Sequence, residues 1–163
     1  MRAMMRSLVL MAAMTAVACG AAHAQKAGGT LVQITQPEPP NLAPYISTSG
    51  PIGQVTAKVF DGLLEYGFDL KPQPGLAESF TVAPDGKTVT FKLRRGVKFH
   101  DGGDFTARDV IYSFCRVPLV QNSPSAYTIF TGGIADMAAE DDHTLTITTK
   151  ATNPLLPVDL WSL

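Results

Sequence analysis

The chain of 163 residues is 45% hydrophobic and nearly neutral, with 13 basic residues against 14 acidic ones and a formal net charge of −1. Because it carries no basic stripe, it is not expected to bind nucleic acid or an anionic membrane surface. Its apolar content is enough for one folded core of ordinary size.

The first 24 residues are predicted to be an export signal. Arg2 and Arg6 form a basic start, and the apolar run 7–17 is too short for a permanent membrane anchor. Ala22-His23-Ala24 has the small-residue pattern of a cleavage site, so the mature chain is expected to begin at Gln25. Residues 25–163 then carry 11 basic and 14 acidic residues, a net charge of about −3.

The two cysteines raise separate questions. Ala16-Val17-Ala18-Cys19 weakly matches a lipoprotein signal, so the alternative to a soluble exported protein is a lipid anchor at Cys19. After cleavage before Gln25, Cys115 is the one cysteine left, and no internal disulfide can form. Free cysteine is among the most buried residue types, so Cys115 is predicted to fill the core.

The segment after the signal predicts a strand, an extended loop and a helix. Thr30–Thr35 is β-branched and partly alternating, which favours a strand. Four prolines between residues 37 and 44 then exclude regular structure. Apolar residues recur at helical spacing from Ile52 to Leu64, after Pro51, and predict an amphipathic helix on a core.

The stretch Leu76–Arg116 predicts two paired strands, a short strand and a capped helix. Ala83-Pro84-Asp85-Gly86 has the composition of a type I turn between Phe80–Val82 and the next strand. Thr88–Leu93 alternates polar and apolar residues, which puts Val89, Phe91 and Leu93 on one buried face. A further short strand is expected over Val97–Phe99.

The helix has the clearest start signal in the chain. Thr106 and Asp109 form a capping box, Phe105 and Val110 can pack as a hydrophobic staple, and Pro118 ends the helix. After it, residues 119–133 predict turns and a short helix, and 134–140 predict an edge strand or connector. Thr144–Thr148 predicts a strand with Leu145 and Ile147 inward, and residues 153–157 begin a short helix.

These motifs occur in a recognisable order. LAESF, PDGKTVTFKLRRGVKFHDG and FTARDVIYSF together resemble the signature of the family 5 extracellular solute-binding proteins, which are the peptide and nickel binding subunits of ABC importers. Gly28–Leu31, Val59–Glu65 and Asp141–Ile147 extend the resemblance over nearly all of residues 28–160. Ala43 departs from the family pattern, which commonly has Asp there.

The resemblance implies a mixed α/β (α+β) fold of the type II periplasmic-binding-protein kind, two-lobed in full-length members. Residues 25–163 would be its N-terminal portion. The implied function is a periplasmic substrate-binding component of an ABC importer, which delivers di- or oligopeptides to inner-membrane permease subunits. Nickel chelates, haem and oligosaccharides are other cargoes of the family. The protein is expected to be a monomer, to need no cofactor and not to be an enzyme.

The resemblance also implies three ligand-binding residues. Glu38 lies in the loop after the first strand, where peptide-binding members help to hold the peptide, and Asn41 nearby can donate and accept hydrogen bonds. Tyr127 lies where relatives often contact ligand through a tyrosine. A solvated carboxylate at Glu38 and a tyrosine covering the core remain the alternatives. Since most peptide-fixing groups of the family lie beyond residue 163, this segment alone is expected to bind weakly or not at all.

One cluster could carry catalysis or hold a metal ion: His100, Asp101, Asp104 and Asp109. Its spacing matches no zinc pattern, and capping and turn formation explain Asp109 and Asp101. No metal site is therefore expected. The alternative functions are an exported hydrolase that uses His100 and Asp101, and a truncated fragment without function.

Overall fold

The computed structural model describes residues 28–121 and 127–160. The predicted export signal, Cys19 and Gln25 lie outside the described residues, as do residues 122–126. The contacts divide the chain into two units, Met1–Ile34 and Thr35–Leu163.

In the first unit, the described residues 28–34 form neither helix nor strand, and Leu31, Val32 and Ile34 are exposed. The predicted strand Thr30–Thr35 is therefore wrong. A β-branched stretch becomes a strand only where a neighbouring strand pairs with it, and no such pairing forms among the described residues.

The second unit combines short helices with two antiparallel sheets. Its helices are α1 (Gly50–Thr56), α2 (Ala107–Arg116), α3 (Thr128–Thr131) and α4 (Leu156–Asp159). Its strands are β1 (Leu64–Tyr66), β2 (Pro72–Pro74), β3 (Ala77–Val82), β4 (Thr88–Leu93), β5 (Ile134–Asp141) and β6 (Thr144–Thr149). The described part of this unit also contains two 3-10 helices, Pro44–Ile46 before α1 and Val117–Leu119 after α2.

The larger sheet has the strand order β3-β4-β6-β5, and β1 pairs with β2 in a separate hairpin. In the centre of the larger sheet, Val89 lies opposite Ile147 and Phe91 opposite Leu145. All four side chains are fully buried, which confirms the inward face predicted from the alternation of both strands. The sheet therefore owes its register to one apolar face.

The turn between β3 and β4 forms as predicted. The Gly86 amide donates to the Ala83 carbonyl over 2.9 Å, and the Asp85 carboxylate accepts from the amides of Lys87 and Thr88. Gly86 has a φ of +64°, a left-handed conformation that costs other residues steric strain. A Cβ at Gly86 would also lie 2.7 Å from the Thr152 side chain.

Helix α2 begins at the predicted capping box. The Asp109 carboxylate accepts from the Thr106 amide over 2.7 Å and from its hydroxyl over 2.8 Å, and the Thr106 side chain caps the third helical amide in return. Phe105, Val110 and Phe114 are buried in the same apolar cluster as β4 and β6. The helix therefore presents one apolar face to the sheet.

Two predictions around α2 are wrong. Val97–Phe99 forms no strand, and only a single bridge joins Lys98 to Asp104. Cys115 is exposed and does not fill the core. Each helical residue turns by about 100° from the one before it, so Cys115 points away from the face that buries Phe114.

The predicted helix Ile52–Leu64 is also shorter than expected. Helix α1 ends at Thr56, and Val59 and Phe60 are 53% and 54% exposed. Leu63 and Leu64 are buried, but Leu64 begins β1, and the Leu63 carbonyl accepts from the Ala77 amide over 2.9 Å. The apolar residues that predicted one long helix therefore belong to two elements, α1 and β1, and to the segment between them.

Candidate ligand-contacting segments

The proline-rich loop carries the first two predicted site residues. Glu38 is exposed. The Asn41 side-chain oxygen accepts a hydrogen bond from the Ala43 amide over 3.0 Å, directly before the 3-10 helix at Pro44. This is the local turn bond that asparagine favours, so Asn41 shapes the loop.

Tyr127 occupies a different segment, at the start of α3. Its side chain is buried, with 7% exposed, and its ring centroid lies 5.6 Å from that of Phe130. The Tyr127 carbonyl accepts from the amides of Phe130 and Thr131, which starts the helix. The ring thus covers apolar neighbours, and only a small part of it faces solvent.

A contact between distant residues joins the loop to the end of α2. The guanidinium carbon of Arg116 lies 4.5 Å from the centroid of the Tyr45 ring, within the range of a cation–π interaction. Sequence reasoning missed both residues. The helix dipole favours a basic residue such as Arg116 in the last turn of a helix. The neighbouring sequence does not indicate which aromatic ring that residue will contact.

A surface groove of about 420 Å³ lies beside α2, α3 and β5. Ile111, Phe114, Met137 and Pro118 supply apolar surface, and Lys150 donates to the Gly132 carbonyl at its edge. Thr128 lines the groove, whereas its neighbour Tyr127 is not among the lining residues.

The cluster that was considered for catalysis or metal binding is divided among structural roles. Asp109 caps α2, Asp101 accepts from the Gly103 amide in its loop, and Asp104 pairs with Lys98. His100 is exposed beside them. Within residues 28–121 and 127–160, no group of three or more potential ligands is placed to hold a metal ion. The hydrolase hypothesis therefore gains no geometric support.

Two carboxylates have lowered pKa values, and both lie in turns outside the candidate segments. The amides of Lys87 and Thr88 hold the pKa of Asp85 below its usual value. The His143 amide, and then the Thr144 hydroxyl, do the same for the pKa of Asp141. Hydrogen bonds to the ionised form stabilise it, so these carboxylates are structural anchors.

No helix in the described ranges is long and apolar enough to cross a bilayer.

Comparison with solved structures defines the class of fold. The chain is similar in structure to Haemophilus influenzae OppA in complex with RPPGFSPFR, with a TM-score of 0.68 and 27% identity over 76% of this chain and 27% of that chain. It is also similar to the unliganded open form of the murein tripeptide binding protein MppA, with a TM-score of 0.69 and 28% identity over 77% and 27% of the two chains. The predicted periplasmic-binding-protein-like fold of mixed helix and sheet is confirmed.

The sequence comparisons agree with the fold. Residues 71–162 match the family described as bacterial extracellular solute-binding proteins, family 5 Middle. The chain is 34% identical over 146 residues to the dipeptide-binding protein of Escherichia coli K12, covering 78% of this chain and 27% of that protein. The chain belongs to the family 5 solute-binding proteins. It spans about a quarter of the length of this relative.

Proposed function

We propose that the protein is the substrate-binding component of an ABC importer for di- or oligopeptides. The observation that carries this proposal is the family match over residues 71–162, together with 34% identity to a dipeptide-binding protein. The peptide present in the similar OppA structure supports the same class of cargo. Because the chain spans about a quarter of its relative's length, these residues supply only one part of the binding surface.

The loop residues contribute polar groups to that surface. The exposed Glu38 carboxylate pairs with a peptide ammonium group, and the Asn41 amide nitrogen donates to a peptide carbonyl. Tyr127 contributes a small apolar edge, in keeping with its burial. Bridging water completes a pocket that tolerates different peptide side chains.

The proposal includes a cellular context, which rests on the predicted export signal and on the family resemblance. Residues 1–24 direct export and are removed, and residues 25–163 form the N-terminal portion of a monomer in the periplasm. Its partners are the peptide and the permease subunits, and it carries out no covalent chemistry. Intact mass of the exported protein distinguishes cleavage before Gln25 from a lipid anchor at Cys19, because only the latter adds a diacylglycerol group.

The test is calorimetry on a protein of family length that contains these residues, titrated with dipeptides, tripeptides and their N-acetylated forms. We expect binding of free peptides and roughly tenfold weaker binding by Glu38→Gln, since a lost charged hydrogen bond is worth at least that factor. N-acetylation of the peptide should weaken its binding to the wild type. It should not further weaken its binding to Glu38→Gln, which already lacks the charged partner.

The matched control is Glu78→Gln, which removes another exposed carboxylate, on strand β3, and should leave the affinity unchanged. Absence of binding to every peptide in the panel would refute the proposed cargo. Equal losses in the Glu38 and Glu78 variants would refute the assignment of Glu38.

A further inference from the structure

The proline-rich loop is held locally by its own residues. Its prolines fix φ, and the bond from the Ala43 amide to Asn41 spans only two residues. These constraints give the loop a shape, but they do not determine where that shape lies relative to helix α2. A contact with a distant element is needed for that.

The contact between Tyr45 and Arg116 meets this need. Tyr45 lies in the 3-10 helix that directly follows Asn41 and Ala43, and its ring is covered by the Arg116 guanidinium at 4.5 Å. Arg116 is the last residue of α2, an element fixed to the core through the buried Val110 and Phe114. The ring therefore connects the loop to the rigid part of the molecule.

The same arginine adjoins the segment that leads to Tyr127. The next residue, Val117, is buried and begins the 3-10 helix Val117–Leu119, which packs against α3. The Arg116 side chain therefore touches the 3-10 helix that follows the loop of Glu38 and Asn41, while its backbone continues toward the start of α3.

We infer that Arg116 is a positioning residue for ligand binding, which acts through the Tyr45 ring to hold the loop of Glu38 and Asn41. This inference rests on the proposed function and adds a residue that makes no contact with the ligand itself. It requires a cation at position 116 and an aromatic face at position 45, and it does not require the tyrosine hydroxyl.

The experiment is a double-mutant cycle in a protein of family length, measured as peptide affinity. Arg116→Gln and Tyr45→Leu should each weaken binding roughly two- to fivefold, the range of an exposed cation–π interaction. The double variant should lose no more than either single one, because both remove the same contact. Arg116→Lys and Tyr45→Phe should recover most of the affinity, and Arg108→Gln on the same helix should change nothing.

A second measurement does not depend on the ligand. A single bond between residues two apart protects an amide only while the loop around it stays in place, so in the free protein hydrogen exchange at the Ala43 amide should become faster in Arg116→Gln and Tyr45→Leu. The midpoint of global unfolding should stay within error of the wild type. Additive losses in the cycle, or unchanged Ala43 exchange, would overturn the inference. If the wild type binds no peptide, the proposed function fails, and the exchange rates alone decide whether Arg116 holds the loop.

Discussion

The larger sheet with α2 and the segment 57–70 both contain large apolar residues, but they use them differently. In the sheet, Phe91 and Ile147 are fully buried, each facing a neighbour on the adjoining strand. In the segment 57–70, Val59, Phe60 and Phe68 are more than half exposed. The difference shows that a regular strand brings a whole row of apolar side chains to one buried face, whereas the segment 57–70 buries individual positions such as Leu63 and Leu64.

The largest expected effect comes from replacing one phenylalanine in each region. Phe91→Ala should lower the free energy of unfolding by about 3–5 kcal/mol, since it leaves a cavity in a closed core. Phe68→Ala should change it by less than about 0.5 kcal/mol, because the side chain is exposed. Urea unfolding of both variants measures the difference. Similar losses would show that the segment 57–70 is as well packed as the sheet.

A smaller loss of stability is expected at the start of α2, where the capping box precedes the residues that pack on the sheet. Thr106→Ala or Asp109→Ala should each cost about 1 kcal/mol of unfolding free energy, because each removes one of the two side chains of the capping box. Combined, they should cost less than the sum, since both belong to one capping box. Arg108→Ala in the same turn is the control. Full additivity would contradict a reciprocal box.

Acid should weaken the sheet through its turns. The pKa values of Asp85 and Asp141 lie below the usual 3.8 in the folded protein, so their stabilisation is complete above that pH and is lost as the pH falls below it. Asp85→Asn and Asp141→Asn should therefore be less stable at neutral pH and show a shallower loss of stability below about pH 4. Denaturation midpoints measured at a series of pH values provide the test.

The control for this series is Asp142→Asn, which changes the neighbouring carboxylate in the same β5–β6 turn. Its pH profile should follow that of the wild type. An equally shallow profile in this variant would point to a general charge effect instead of the hydrogen bonds of Asp85 and Asp141.

The smallest expected effect concerns Cys115, which is exposed although its neighbour Phe114 is buried on the apolar face of α2. Cys115→Ser should change the unfolding free energy by less than about 0.5 kcal/mol, because the side chain is exposed. The native thiol should react with a thiol reagent without prior unfolding. Protection of the thiol until the protein unfolds would restore the buried position that the sequence suggested.

The candidate site was predicted less completely than the fold. Glu38, Asn41 and Tyr127 follow from a resemblance to a family, and the structure adds that Asn41 forms a turn and that Tyr127 is buried. The contact of Arg116 with Tyr45 could not be predicted, because the two residues are distant in sequence and no periodic pattern links them.

The strands β3, β4 and β6, the turn at Asp85 and the capped start of α2 can all be recognised in the amino-acid sequence. Each depends on residues that are neighbours in the chain, and their patterns repeat with the period of the element they form. The end of α1 and the absence of a strand at Thr30–Thr35 could be seen only in the folded molecule. Those outcomes depend on which surfaces meet across long separations, and the free energy of such contacts is absent from any local pattern.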